Sequence, residues 1–131
     1  MDNVTEPKGE LVLRTLAMPA DTNPDGDIFG GWLLSQMDIA GGIAARQATK
    51  GRVATVAVDA MVFHKPVSVG DVMCCYAYEE RIGTTSITFS IQAWVLRSRG
   101  SNGVEERELV TEGKFTFVAL GEDRKKRVIE K

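Results

Sequence analysis

From Phe29 to Thr49 the apolar residues recur three and four apart. Phe29, Leu33, Met37, Ala40 and Ala44 fall on one side of a helix. Lys50-Gly51 closes that segment, because glycine suits the left-handed turn that ends helices. Ahead of it, "ELVLRTLA" sets Leu11 and Leu13 against Arg14 and predicts a strand, and "PADTNPDGD" predicts a loop. Behind it, "RVATVAVDAMVFHK" is rich in β-branched residues, and "PVSVGD" reads as a turn punctuated by Pro66 and Gly70. "DVMCCYAYEER" and "SITFSIQAWVLR" predict two strands joined tightly around Gly83. "ELVTEGKFTFVAL" predicts a last strand beyond the glycine-rich "SRGSNGVEE". The predicted order is one strand, one long helix and four strands in antiparallel succession. That is an α+β domain with one sheet and one helix to pack on it.

One predicted strand is apolar on both faces: Val72, Cys74 and Tyr76 on one, Met73, Cys75 and Ala77 on the other. A single helix covers one face only, so a second subunit is the expected cover for the other. Length and composition narrow the class. The 131 residues suit a single domain, residues 1–131, with a core over about 9–120 and a charged, loose tail at 121–131. Apolar residues make up 44% and charged residues 26%, the range of a globular chain able to bury a core. A net charge of −2 gives no global signal for nucleic acid. No apolar run is long enough to span a bilayer, and the polar "MDNVTEPKGE" is no signal peptide. Adjacent cysteines in a strand point to opposite faces, so Cys74 and Cys75 read as free structural thiols in a cytoplasmic protein.

The helix has a second side. Asp38 stands about 140° from its apolar direction at 100° per residue, among Gly31, Ser35, Gly42 and Ala45. A plain solvent face would carry Lys, Glu, Arg or Gln. Small residues instead let another backbone or a slim ligand approach. Alone, a helical aspartate reads as a surface residue. Set in a smooth, close-packed stripe it becomes a candidate base. Gly30 and Gly31 sit where the first helical amides lack intrahelical partners, a place that suits a negative oxygen or simply marks the loop-to-helix junction.

These residues carry a resemblance. "LRTLAMPADTNPDGDIFGGWLLSQMDIAGG", then "GRVATVAVDAMVFHKPVSVGDVMCCYA" and "GTTS", resemble the YciA-like acyl-CoA thioesterases of the hotdog-fold superfamily, over roughly residues 9–120. The resemblance implies a hotdog fold: a long central helix wrapped by an antiparallel sheet of five or six strands. It also implies edge-to-edge dimers, often three to a homohexamer, with active sites between subunits. By position, Asp38 matches the family's catalytic carboxylate. Asn23 matches an asparagine that places substrate or water and meets the aspartate across the dimer. Gly30 and Gly31 match the oxyanion-binding helix start. Val56, Ala57 and Val58, with Thr85, Ser86 and Ile87, match positions that line coenzyme A.

Other features carry less. His64 lies in "VFHKP", away from the helix, and reads as structural or surface. That placement counts against a hotdog dehydratase, whose histidine works near the helix. There is no G-x-S-x-G elbow, zinc-spaced His/Cys cluster or Walker loop. The basic run Arg124 to Arg127 reads as a solvated tail, with contact to the phosphates of coenzyme A as the sharper hypothesis. Arg52, Lys65 and Arg81 are alternative phosphate partners. The expectation is a cytoplasmic acyl-CoA thioester hydrolase of fatty acid metabolism, a homo-oligomer needing no metal or separate cofactor. Asp38 is its base or nucleophile, and it has no nucleic-acid or membrane partner. A non-catalytic acyl-CoA-binding or sensor module on the same fold is the alternative. The want of an output segment weighs against it. A purely structural oligomer would leave Asn23 and Asp38 unexplained.

Overall fold

The computed structural model describes residues 6–99 and 104–130. Its elements are β1 (Glu10–Leu16), a 3-10 turn (Pro19–Asp21), helix α1 (Gly30–Thr49), β2 (Val53–Phe63), β3 (Val72–Ile82), β4 (Ser86–Arg99) and β5 (Val104–Ala119). All pairings are antiparallel, in the order β1-β3-β4-β5-β2. The expected single helix and single sheet are present, with five strands.

Strand succession differs from the expectation. β2 does not pair with β3, because residues 64–71 form a crossing rather than a hairpin turn. That crossing is fixed by Ile28 N–H donating to Val67 O and Ala17 N–H to Asp71 O. β2 pairs instead with β5, at the edge of the sheet. β5 also begins before Glu108, at Val104 and so inside the predicted glycine-rich loop, and residues 100–103 lie outside the described residues.

The helix links the two edges of the sheet and lies across its inner face. Trp32, Leu33, Met37, Ala40 and Ala45 are buried there against Ile87, Phe89 and Ile91 of β4 and Phe115 and Phe117 of β5. Two helix assignments change. Phe29 is the N-cap and is 43% exposed, so it leaves the apolar face. Ala45 is fully buried and leaves the small stripe around Asp38. Gly41 is on the packing side too, since a Cβ there would stand 2.7 Å from the Phe117 ring. Its role is close approach of helix to sheet. Lys50 itself adopts the left-handed conformation that ends the helix, with φ 58°.

The outer face is partly closed by the chain itself. Cys74 and Trp94 are buried on it. Arg14 donates to Cys74 Sγ, and the Lys8 amide and Trp94 Nε1–H both donate to Gln92 Oε1. Part of the cover expected from a second subunit is thus supplied within the chain. Both cysteines are free and buried, and burial pushes the Cys75 thiol up to about 12, so it stays protonated and inert.

The C-terminal segment is not a loose tail. Arg127 N–H donates to Ala119 O, Ile129 N–H donates to Thr84 O, and Ile129 is buried in the core. Buried Ile129 and the bonds of Arg127 together dock it. No helix among the described residues is long and apolar enough to cross a membrane.

Candidate active site

Asp38 points away from the packing side of α1, and β2 runs beside it. Thr55 Oγ1–H donates to Asp38 Oδ1 at 2.6 Å. The two stand over a cavity of about 300 Å³ lined by Gly31, Leu34, Ser35, Asp38, Thr55, Val58 and Phe115. Gly31, Leu34 and Ser35 precede Asp38 by seven, four and three residues, the spacing that stacks side chains on one helical stripe. The neighbouring strand then supplies Thr55 and Val58, and Phe115 of β5 forms an apolar floor. Among the described residues no cation pairs with Asp38, and Thr55 holds one of its oxygens. The site is a half-buried carboxylate at the edge of an apolar cavity, a common form of small-molecule site.

The helix start has the donors the sequence suggested. Phe29 N–H donates to Asp21 O, and Trp32 N–H to Phe29 O. The amides between them, of Gly30 and Gly31, have no acceptor among the described residues. Phe63 packs over Gly30, and the Phe29 ring lies beside Gly31. Asn23 lies in the loop before the helix and does not line the Asp38 cavity of its own chain. Its Oδ1 is occupied, accepting from the amides of Asp25 and Asp27. Its Nδ2 is therefore the group left to act, as a donor.

The positions matched to coenzyme A divide. Val56 is 59% exposed at a bulge in the edge strand, Ala57 pairs with Thr116, and Val58 reaches the Asp38 cavity. Thr85 lies in the link before β4, Ser86 opens that strand, and both are half-buried. Their carbonyls are taken by the amides of Ala119 and Gly83. Ile87 is corrected: it is fully buried and paired on both sides, with Ile82 and Phe117, so it presents nothing to a ligand. His64 is held by Glu112 at 2.7 Å at the surface, and Lys65 by Glu108. Thr55 was missed in the sequence, because only the packing of β2 on α1 shows that its hydroxyl meets Asp38.

A known family model, the thioesterase superfamily, matches residues 25–100. The chain belongs to that superfamily. It is 56% identical over 127 residues to the acyl-CoA thioester hydrolase YciA of Salmonella typhimurium, covering 97% of this chain and 93% of that protein. A hexameric hotdog-fold thioesterase of Campylobacter jejuni superposes with a TM-score of 0.88 at 43% identity, over 93% of this chain and 91% of that one. This thioesterase chain thus has the hotdog fold that the resemblance implied. An acyl-CoA hydrolase of Staphylococcus aureus, solved with butyryl coenzyme A and coenzyme A, superposes at 0.79 with 27% identity, over 89% of this chain and 69% of that one. Alanine variants of that hydrolase, at an aspartate, a threonine and an asparagine, have been solved as well. There the asparagine stands fifteen residues before the aspartate and the threonine seventeen after it. Asn23, Asp38 and Thr55 have the same spacings.

Proposed function

We propose that Asp38 is the general base of acyl-CoA hydrolysis in this protein, held in place by Thr55. The chain is an acyl-CoA thioester hydrolase. The observation that carries the catalytic reading is the Thr55–Asp38 hydrogen bond over an apolar cavity beside a helix start with two open amides. With Oδ1 engaged, Oδ2 takes a proton from a water molecule as that water attacks the thioester carbonyl. The carbonyl oxygen becomes negative and is held by the amides of Gly30 or Gly31, worth roughly 3 kcal/mol per donor. The C–S bond then breaks, and the proton on Asp38 passes to the departing sulfur. The products are a free carboxylic acid and coenzyme A.

Gly31 and Asp38 are seven residues apart, about 10 Å of helix rise. One helix start and one carboxylate therefore suit one carbonyl best when a second copy brings them together. In the same way, we place Asn23 Nδ2 of a neighbouring copy at the reacting carbonyl. The exposed edge strand β2, with Val56, Val62 and Phe63 open, supports edge-to-edge dimers. The chain acts on acyl-CoA as a homo-oligomer, and we assign the trimer of dimers from its hexameric neighbour. Two reduced, buried cysteines support a cytoplasmic setting. Val56, Ala57, Val58, Thr85 and Ser86 border the path of the coenzyme A arm. The scheme draws on water and the chain's own groups, with coenzyme A part of the substrate rather than a cofactor.

The test is Asp38→Asn. Acyl-CoA turnover, followed by thiol release, is expected to fall by about 10² to 10⁴, with thermal stability and coenzyme A binding retained. Full activity in that variant would remove Asp38 from the mechanism.

A further inference from the structure

Residues 64–71 cross from β2 to β3, and one side chain of β4 holds this crossing near both ends. Arg97 Nε–H donates to Asp71 Oδ2 at 3.0 Å, and a terminal N–H donates to Pro66 O at 2.6 Å. Its other terminal nitrogen donates to Glu108 of β5, which also accepts from Lys65. Asp71 Oδ2 accepts the Ser68 amide as well, at 2.9 Å. The side chains of Arg97, Asp71 and Glu108 are only 18%, 12% and 21% exposed. Charges drawn this far out of water gain little net stability by pairing, because desolvation offsets their attraction. What a planar guanidinium with three acceptors does supply is a fixed geometry.

The crossing in turn carries the loop between β1 and α1. At the loop's start Ala17 N–H donates to Asp71 O, and Gly70 N–H donates to Ala17 O. At its end Ile28 N–H donates to Val67 O at 3.1 Å. Val67 is fully buried and lies between the two positions that Arg97 holds, Pro66 and Asp71. Between these anchors the loop is tied to itself. Asn23 N–H donates to Asp27 O, Gly26 N–H donates to Asn23 O, and Asn23 Oδ1 takes the amides of Asp25 and Asp27. Residues 17–28 therefore form one unit, anchored at both ends on the crossing. Asn23 rides on that unit, and Ile28 stands two residues before Gly30.

We propose that Arg97 is a positioning residue for the carbonyl-binding half of the active site. Through Asp71 and Pro66 it sets where the loop places Asn23 and the amides of Gly30 and Gly31. The inference rests on the catalytic reading above. Asp38 and Thr55 form the other half of the site and hold each other. The hydrogen bonds of Arg97 end on Asp71, Glu108 and Pro66, so its effect on turnover passes through the crossing and the loop. Small displacements matter there, since a shift of about 1 Å in a reacting group can cost roughly 10² in rate.

The experiment compares the full-length protein with Arg97→Lys, Asn23→Ala and the double variant in hydrolysis of butyryl-CoA. Lysine keeps the charge, but its single ammonium nitrogen cannot reproduce the planar fork that meets Asp71, Glu108 and Pro66 together. Arg97→Lys is expected to lower kcat about 10-fold or more. KM and the binding of free coenzyme A should stay within about 2-fold of the parent. Amide hydrogen exchange in the loop should quicken by about 10-fold, with β3 and β4 protected as in the parent. Because Arg97 and Asn23 act through one loop, the double variant should lose less than the product of the two single losses. Asp71→Ala, which leaves Arg97 paired with Glu108, should reproduce the kcat loss if Arg97→Lys does not fold. His64→Gln breaks only a surface pair at the start of the crossing and should match the parent. Lower thermal stability with parental kcat per folded protein would make Arg97 purely structural and overturn the proposal. So would losses that multiply in the double variant, or an equal kcat loss in His64→Gln. Failure of the catalytic reading looks different: the parent would hydrolyse no acyl-CoA, or Asn23→Ala would keep full turnover. In that case, exchange in the loop of Arg97→Lys decides the positioning role by itself.

Discussion

Helix α1 has two sides written in nearly the same small residues, and the fold uses them oppositely. On one side Ala40, Gly41 and Ala45 press onto the sheet, and Gly41 exists to admit the Phe117 ring. On the other, Gly31, Ser35 and Asp38 border a cavity, and the smallness of Gly31 and Ser35 keeps it open. Smallness therefore had two causes, close packing and access. What separates them is which side β4 and β5 occupy. Gly42 stands between these cases, half-buried, with nothing nearer than 4.0 Å to an added Cβ.

The contrast can be broken by substitution. The largest effect on folding is expected from Gly41→Val, which drives side-chain atoms into Phe117. It should cost at least about 1–3 kcal/mol, the range for overpacking, in urea unfolding, and Phe117→Leu should recover part of it. A neutral Gly41→Val would mean that the helix does not rest on the sheet there. On the cavity side, Thr55→Val should act the other way. It deletes the hydrogen bond that holds Asp38, and kcat should drop roughly 10-fold or more while unfolding changes little, because Thr55 is exposed. A stability loss without a rate loss would make Thr55 a structural residue. The smallest effect belongs to Gly42→Ala. Helix propensity favours alanine by about 1 kcal/mol, and the site is open enough to accept it. A modest rise in stability with unchanged turnover is expected. A loss of turnover there would extend the working side of the helix by one turn.

Much of the site was legible because it is local. The helix start, the open amides of Gly30 and Gly31 and the position of Asp38 follow from spacing along one helix. Asn23 was legible only as a matched position, and its hydrogen-bonding role came from the loop that occupies its Oδ1. Ile87 was misassigned because a coenzyme-lining position and a core position look alike in the run "TSITF". Only the pairing of β4 with both β3 and β5 shows that Ile87 is enclosed. The tail was misread for the converse reason. Its charge count suggested solvent, while Ile129 and the Arg127 contacts at Leu120 and Thr49 dock it on the fold.

By itself the sequence determined the elements of this protein, their order and the face of the helix that carries the carboxylate. Those depend on periodicity and on turn residues, interactions within a few positions of one another. Tertiary structure alone decided that β2 leaves β3 to pair with β5. It also brought Thr55 to Asp38, and Arg97 to Asp71 and Pro66. Each of those joins residues far apart in the chain, and such meetings are fixed by which apolar faces bury together, a property of the whole fold.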